Sequence, residues 1–263
     1  ISRDDRKGIV NYYGTLVLPC RFEKIELSNN FFWVSSEGLY GIYNRYGSTI
    51  IPCRYNQIEL TDRCFYVCRD RLKGVYNRYG SVIIPCQFSQ IECKDNAYYV
   101  TKGKYQGIYN LYGSVIVPTQ YTSIYKEGGK YLVENDSLKG IVNAYGSTII
   151  PCRYNKIQQE GNIYYVTANG KKGIFNRYGS TIIPCQYDEI ISLGHRYIVK
   201  RDKKFGVYNQ YGSTILPCQF QKIECLNNGH YVTTRDKSQQ VYNAYGALLE
   251  NRTNMKVVFS TED

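Results

Sequence analysis

Short runs of hydrophobic and polar residues alternate along the whole chain and return every 33 residues. In one unit, the short β run at residues 41–44 leads into the polar turn Asn44-Arg45-Tyr46-Gly47, and the chain then returns along residues 48–51, which end in two isoleucines. β-branched and aromatic residues favour strands, and an Asn with a Gly three residues later favours a hairpin turn whose glycine has a positive φ. Pro52 has no N–H to donate, so we expect it to end the pairing.

The second half of each unit carries a third strand. After the proline, an aromatic residue and an isoleucine hold fixed positions, Tyr55 and Ile58 in this unit, and we expect a corner whose two apolar side chains fill the space between units. The run Phe65-Tyr66-Val67 follows, between two loops of variable sequence. The pattern therefore predicts a three-stranded antiparallel meander, which is too small to be stable alone and must stack on its neighbours.

This motif organises the whole chain. Its seven prolines are spaced 33 residues apart, at Pro19, Pro52, Pro85, Pro118, Pro151, Pro184 and Pro217. The predicted fold is all-β, a single array over residues 1–263 with a partial unit at 1–7, seven full repeats at 8–239 and a degenerate capping unit at 240–263. We expect the repeats to stack as an open β-solenoid or superhelix, and the alternative is a closed, propeller-like ring of about eight units.

The two ends of the chain depart from the pattern. Residue 1 stands in the middle of a predicted strand and is not Met, so we interpret the chain as a piece of a longer protein or a processed product. Near the other end, Gln240 replaces the opening glycine, and residues 255–259 are expected to form a last irregular strand.

The aromatic residues are expected to pack between units. Tyr13, Tyr46, Tyr79, Tyr112, Tyr145, Tyr178, Tyr211 and Tyr245 all precede the turn glycine. We interpret this row as packing between repeats rather than as a platform for a ligand, and we place Trp33, the one tryptophan, in the core.

The ten cysteines follow the repeat rather than a pairing pattern. Six of them, Cys20, Cys53, Cys86, Cys152, Cys185 and Cys218, hold one position, and Thr119 holds it in the remaining repeat. A position that accepts both residues is small and buried, so we expect structural thiols; disulfides and a metal site are the alternatives. Unpaired thiols favour a reducing compartment, and the predicted localisation is cytoplasmic.

Positive charge collects in the second variable loop. The net charge is +11, and residues 1–7 together with these loops hold 17 basic and 8 acidic residues. If the units stack regularly, the loops line one edge, which predicts a candidate binding edge. Its members are Arg69, Arg71, Lys73, Lys102, Lys104, Lys171, Lys172, Lys200, Arg201, Lys203, Lys204, Arg235 and Lys237.

The unit resembles the bacterial WG repeat. The resemblance lies in the opening glycine of Gly74-Val75-Tyr76-Asn77, the turn glycine Gly80, the run Ile83-Ile84-Pro85, and Phe88 with Ile91 behind it. The family's tryptophan before the first glycine is absent, and its position holds Lys7, Tyr40, Lys73, Gln106, Lys139, Lys172 and Phe205. The resemblance implies a β-rich interaction repeat attached to varied bacterial proteins, with no catalytic motif to transfer.

The residues themselves favour binding over catalysis. His195 and His230 are the only histidines and stand in different repeats, and neither a phosphate loop, a nucleophile elbow nor zinc-ligand spacing occurs. We therefore expect no enzyme, no cofactor and no metal. No apolar run approaches the ~18 residues of a membrane span.

Two classes of partner remain. The first is a protein, or another domain of a longer chain, bound by the face that the repeat loops line. The second is a nucleic acid or other polyanion bound along the basic edge. The remaining alternatives are a purely structural role or another ligand such as a glycan. Replacing Lys200, Arg201, Lys203 and Lys204 by Ser is expected to leave the fold intact.

Overall fold

The structure is a computed structural model that describes residues 1–236 and 238–252. All regular secondary structure in these residues is β-strand, which confirms the predicted all-β repeat fold. The chain divides into two compact units, Ile1–Tyr125 with Ala144–Gly146, and Lys126–Asn143 with the residues from Ser147 onward. Lys237 and the strand predicted at residues 255–259 lie outside the described residues.

Unit 1 contains the first four sheets. Its strands are β1 (Ser2–Arg3), β2 (Arg6–Val10), β3 (Leu16–Phe22), β4 (Lys24–Ser28), β5 (Phe31–Ser36), β6 (Leu39–Asn44), β7 (Thr49–Tyr55), β8 (Gln57–Leu60), β9 (Cys64–Arg69), β10 (Leu72–Asn77), β11 (Val82–Phe88), β12 (Gln90–Lys94), β13 (Ala97–Lys102), β14 (Tyr105–Asn110) and β15 (Val115–Tyr121). Strands β1–β3 form a three-stranded sheet, and β4–β7, β8–β11 and β12–β15 form four-stranded sheets in chain order.

Unit 2 repeats the same arrangement. After β16 (Ser123–Glu127), which spans the unit boundary, the strands are β17 (Lys130–Asn135), β18 (Leu138–Asn143), β19 (Thr148–Tyr154), β20 (Lys156–Glu160), β21 (Ile163–Ala168), β22 (Lys171–Asn176), β23 (Thr181–Tyr187), β24 (Glu189–Ser192), β25 (Arg196–Arg201), β26 (Lys204–Asn209), β27 (Thr214–Phe220), β28 (Lys222–Cys225), β29 (Tyr231–Arg235), β30 (Ser238–Tyr242) and β31 (Leu248–Arg252). Strands β17–β19 pair in order, and β20–β23, β24–β27 and β28–β31 form four-stranded sheets.

The repeated sheet has four strands, and the prediction of three was wrong. The segment after the proline is a strand rather than a corner, because β7 continues through Pro52 to Tyr55. Tyr40 pairs with Tyr55 and Ile42 pairs with Ile51, so three residues of β7 stand opposite one residue of β6. Pro52 is tolerated inside the strand because it lies in this bulge, where the ladder of hydrogen bonds is already interrupted.

The bulge explains the opening glycine and the cysteine position. A Cβ at Gly41 would lie 2.8 Å from the main-chain nitrogen of Cys53, so a larger residue would collide with the bulge. The half-buried Cys53 thiol donates a hydrogen bond to the Leu39 carbonyl oxygen at 2.9 Å. Thr119 holds the same position, but its buried Oγ1 has no hydrogen-bond partner in the part of the chain that the structure describes. The position is therefore shaped for a thiol.

Two kinds of hairpin turn close opposite ends of each sheet. Between β9 and β10, Asp70 and Arg71 have φ values of 52° and 66°, the conformation of a two-residue type I′ turn. At the other end of β10, the Asn77 side chain accepts hydrogen bonds from the main-chain N–H groups of Tyr79 and Ser81, both at 2.9 Å. Gly80 follows with a φ of 93°, as the sequence predicts. We call the two ends the I′ edge and the tyrosine edge.

The core lies between the faces of successive sheets. Ile42, Ile51 and Tyr55 of one sheet pack against Phe65 and Val67 of the next, and all five side chains are buried. The same positions form the corresponding clusters elsewhere in both units. The predicted role of the aromatic residue and of the isoleucine after the proline as filling between repeats is confirmed. Stacking is what stabilises each sheet, because one sheet alone leaves these faces in water.

Trp33 packs against this core as predicted. Its half-buried ring contacts Phe65 edge to face, with the ring centroids 6.3 Å apart. Its Nε1–H donates to the Ser28 carbonyl oxygen at 3.3 Å.

The register of the last sheet moves by one residue. Ile223 pairs with Thr233, in the position where Ile190 pairs with Val199 in the preceding sheet. The 33-residue spacing from Val199 leads to Val232, but the longer loop before β29 shifts the strand by one residue. Thr233 is consequently fully buried in the core.

Candidate functional site

The predicted basic residues lie at two kinds of place in the sheets. In the described part of the chain, most of them flank the type I′ turns of the I′ edge. Lys73 and Lys172 instead line grooves on the sheet faces, beside Tyr66 or Tyr99 and beside Tyr165 respectively. Lys237 lies outside the described residues.

Acidic neighbours pair with several of the cations on the I′ edge. The shortest of these ion pairs joins Lys171 Nζ to Asp188 Oδ1 at 2.5 Å. Hydrogen bonding to Lys171 lowers the pKa of Asp188, and the same contact raises the pKa of Lys171. Further pairs at 3.5–3.9 Å join Arg69 to Asp70, Lys200 to Glu189, Arg201 to Asp202 and Arg235 to Asp236. These exposed pairs add little stability, but they weaken the local positive field.

Other basic residues of the edge make uncharged contacts or extend into solvent. Lys102 Nζ donates to Gln87 Oε1 at 3.5 Å, and Lys104 Nζ lies 5.3 Å from the centre of the Tyr105 ring. Arg71 and Lys203, at the second position of their turns, are exposed, and Lys204 is half-buried.

Open grooves recur between successive sheets. Their volumes are about 540 and 300 Å³ in unit 1 and 230 Å³ in unit 2. The largest contains acidic and basic side chains together, and within it Lys94 Nζ lies 3.6 Å from Glu92 Oε2 and 4.5 Å from the centre of the Tyr99 ring. Each of these grooves is lined by at least one cation and one carboxylate.

The tyrosines before the turn glycines are exposed, so the prediction that they pack between repeats was wrong. Their side chains project into solvent at the tyrosine edge, with exposed fractions from 71% to 91%; these residues are Tyr13, Tyr46, Tyr79, Tyr112 and Tyr145 in unit 1 and Tyr178, Tyr211 and Tyr245 in unit 2. Large apolar side chains in water at one repeated position are typical of an interaction surface.

The turn glycine explains why the tyrosine points outward. A Cβ at Gly47 would lie 2.1 Å from the Val17 carbonyl oxygen of the preceding sheet, and a Cβ at Gly113 would lie 2.3 Å from that of Ile83. The main chain of the glycine therefore makes the contact between sheets. The tyrosine side chain has no room in that contact and turns to solvent.

One groove at the tyrosine edge joins two successive turns of unit 1. It has a volume of about 480 Å³. Its apolar floor includes Ile83, Tyr98 and Leu111, and Tyr79 and Tyr112 stand at its rim. Arg63 and Arg78 also line it, and no acidic residue of the described ranges does; the sequence pattern gave no signal that these side chains would line one groove.

The histidines and cysteines do not form a chemical centre in the described residues. His195 Nδ1 lies 2.7 Å from Gln210 Oε1. His230 contacts Asn228 within the loop between β28 and β29. Residues 1–236 and 238–252 contain no group of three or more metal-binding side chains. All ten cysteines are free. Burial raises the pKa of the repeated thiols at Cys53, Cys86, Cys152, Cys185 and Cys218.

The described part of the chain holds no helix with the length and apolarity of a membrane span. A comparison with curated proteins gives no match.

Among solved structures, the chain is similar to a eukaryotic initiation factor, with 10% identity, coverage of 93% of this chain and 92% of that one, and a TM-score of 0.25. It is also similar to Hsv2 of Kluyveromyces lactis, with 11% identity, coverage of 85% and 94%, and a TM-score of 0.24. A third similar structure is PorZ of Porphyromonas gingivalis, a surface component of the type-IX secretion system, with 8% identity, coverage of 84% and 38%, and a TM-score of 0.23. These scores support no conclusion on fold or function.

The repeat itself does have a family match. Residues 8–40 match the family model of the WG containing repeat. The later copies keep the 33-residue spacing, the turn glycine and the proline of this first unit, and they form the same strands. Residues 8–40 are therefore a WG repeat, and the rest of the described chain repeats the pattern of this unit.

Proposed function

We propose that this protein is a non-catalytic binding module that recognises a protein partner through its tyrosine edge. The observation that carries the proposal is the exposure of the turn tyrosines, which reaches 91% at Tyr145. Tyrosine and arginine dominate the binding energy of many protein interfaces, because each combines a large contact area with a hydrogen-bonding group. In two turns of unit 1, an arginine directly precedes the exposed tyrosine: Arg45 before Tyr46, and Arg78 before Tyr79.

Polyanion binding along the I′ edge has weaker support. A phosphate track needs cations whose charge is available to the backbone of a nucleic acid. Several cations of this edge, Lys171 and Arg201 among them, already contact a carboxylate of the same edge. A partner that binds through aromatic side chains should be less sensitive to salt than a polyanion, which loses about 10³-fold in affinity between 50 and 200 mM salt when six or more phosphates are contacted.

We further propose a reducing compartment, such as the cytoplasm, as the place of action. The support is that the ten cysteines are free, and that the repeated thiols are partly enclosed at the bulge, as Cys53 is. A raised pKa keeps such thiols protonated and slow to oxidise.

The test compares three baits in a lysate of the source organism. They are the wild-type chain, a tyrosine variant and an I′-edge variant; the tyrosine variant carries Tyr46→Ser, Tyr79→Ser and Tyr112→Ser, and the I′-edge variant carries Lys200→Ser, Arg201→Ser, Lys203→Ser and Lys204→Ser. Each bait is used with and without nuclease treatment, and circular dichroism confirms that each variant is folded.

The proposal predicts a captured protein that survives nuclease treatment, is retained by the I′-edge variant and is lost from the tyrosine variant. The opposite pattern, in which nuclease or the I′-edge variant abolishes capture while the tyrosine variant keeps it, would overturn the proposal and favour polyanion binding.

A further inference from the structure

The groove between the turns at residues 77–80 and 110–113 differs from the rest of the tyrosine edge in its charge. We call it the arginine groove. Two sequence positions supply its cations, one just before the second strand of the sheet and one in the tyrosine turn. The first position holds Asn30, Arg63, Asn96, Gly129, Asn162, His195 and Asn228 along the chain, and the second holds Arg45, Arg78, Leu111, Ala144, Arg177, Gln210 and Ala244. Arginine occupies both positions in one repeat only.

This departure from the repeat is informative because the other positions of the array are copied for its architecture. A residue that must maintain the stacking recurs in every repeat, as the turn glycine does. The pair of arginines occurs in a single repeat, so the architecture of the array does not require it, and two guanidinium groups that line one groove favour an anionic ligand there.

The arginine groove has the features of a binding pocket. Its volume of about 480 Å³ lies within the usual range of ligand sites, and its floor contains the half-buried Ile83 and Leu111 and the buried Tyr98. The rim consists of Tyr79 and Tyr112, which are 88% and 89% exposed.

One of the two arginines is already held in place. Arg78 Nη1 donates to the Asp62 carbonyl oxygen at 3.3 Å, and its guanidinium carbon lies 5.7 Å from the centre of the Phe31 ring. These two contacts restrict the side-chain conformations of Arg78, which lowers the entropy lost when the guanidinium binds a carboxylate.

We propose that the arginine groove binds an acidic peptide segment of the partner protein, with an aromatic or large aliphatic side chain on the apolar floor and a neighbouring carboxylate between Arg63 and Arg78. Charge complementarity supports this occupant, because the described residues that line the groove include two cations and no carboxylate. The inference rests on the proposed function, since it names the partner chemistry at the same edge.

The first experiment measures binding of two short probes by NMR titration of the full chain. The probes are the capped dipeptides acetyl-Phe-Glu-amide and acetyl-Phe-Gln-amide, which differ only in charge. We expect the Glu probe to bind about tenfold more tightly than the Gln probe, because a charge-assisted contact to arginine is lost in the latter. We also expect the difference to shrink at high salt.

The second experiment uses variants with a matched control. Arg63→Ser and Arg78→Ser should each abolish the preference for the Glu probe. Arg177→Ser is the control, because Arg177 holds the position of Arg78 in a repeat whose other position is Asn162. Arg78→Lys keeps the charge and should retain part of the preference, which separates binding from any loss of the contact with Phe31. Trp33 fluorescence reports whether each variant remains folded.

Equal binding of the two probes, binding of neither, or an equal loss in the Arg177→Ser variant would each overturn the inference. Its failure is distinguishable from failure of the proposed function. If Arg63→Ser leaves capture of the cellular protein unchanged while the tyrosine variant abolishes it, the acidic segment is refuted and recognition through the tyrosine edge stands. If the probes discriminate as expected while the tyrosine variant still captures the protein, the proposed function is refuted.

Discussion

The contact between sheets depends on the turn glycine, and replacing Gly47 by Ala tests this directly. Gly47 and Gly38 close the two hairpins of strand β6, with φ values of 85° and 72°. A Cβ at Gly38 has no atom within 4 Å, whereas a Cβ at Gly47 would lie 2.1 Å from the Val17 carbonyl oxygen. Gly38→Ala is therefore a control in the same sheet that has the backbone strain without the collision.

The expected costs follow from these distances. An L-residue at positive φ costs about 1 kcal/mol in either position. At Gly47 the collision adds about 1–3 kcal/mol, because the turn or the neighbouring strand must move by about 1 Å to restore ordinary contact in a close-packed interface. We expect Gly38→Ala to lower the free energy of unfolding by about 1 kcal/mol and Gly47→Ala to lower it by about 3 kcal/mol.

Urea unfolding followed by fluorescence measures both variants. Trp33, the single tryptophan, lies on β5 in the same sheet and reports on its integrity. Asn tolerates positive φ better than Ala does. The free energy of unfolding of Gly38→Asn should therefore be close to that of wild type, while Gly47→Asn should lose most of the stability that Gly47→Ala loses. Equal losses for the alanine variants at the two positions would refute the conclusion that the turn packs on the preceding sheet.

Three further predictions concern the turns, the cysteine position and the buried tyrosines. Asn77→Ala should lower the free energy of unfolding by about 1–2 kcal/mol, because two main-chain N–H groups lose the acceptor that lies 2.9 Å away. Asn77→Asp keeps an acceptor and should lower it much less in the same urea assay. Equal losses would contradict the side-chain cap. Thr119→Cys should raise the free energy of unfolding by about 1 kcal/mol, and the converse Cys53→Thr should lower it. The reason is that the buried Thr119 Oγ1 has no hydrogen-bond partner among the described residues, whereas the Cys53 thiol has one. A destabilised Thr119→Cys variant would refute this. Burial raises the pKa of Tyr55 from 10.0 to about 12, so the neutral phenol favours the folded state at pH values below 10 and this stability is lost as the pH rises towards 12. Tyr55→Phe should therefore move alkaline unfolding, followed by circular dichroism, to higher pH, and an unchanged midpoint would contradict the assignment.

Much of the fold was predictable because its determinants are local. The turn glycines, the asparagines before them and the isoleucines after them recur at a fixed spacing, and each acts within a few residues of its own position. The buried aromatic residue after the proline was also placed correctly. By contrast, Pro52 was interpreted as the end of a strand, because sequence alone does not show that a bulge lets β7 continue to Tyr55.

The candidate site was less predictable because it depends on contacts between sheets. The tyrosine before each turn glycine has the composition of a packing residue, yet Tyr79 is 88% exposed because the glycine after it contacts the preceding sheet through its main chain. The basic loops were recognised, but the pairing of Lys171 with Asp188 and of Lys200 with Glu189 joins residues that are distant in the sequence.

The sequence by itself determined that this protein is an all-β array of copied hairpins, because turn chemistry and strand propensity act over short distances along the chain. Only the tertiary structure decided which side chains the stacking leaves in water and which it brings together. Arg63 and Arg78 lie on two hairpins of one sheet, and the distance to the next sheet lets its Tyr98, Leu111 and Tyr112 side chains complete the groove. That distance is a property of the packed faces, and no local pattern encodes it.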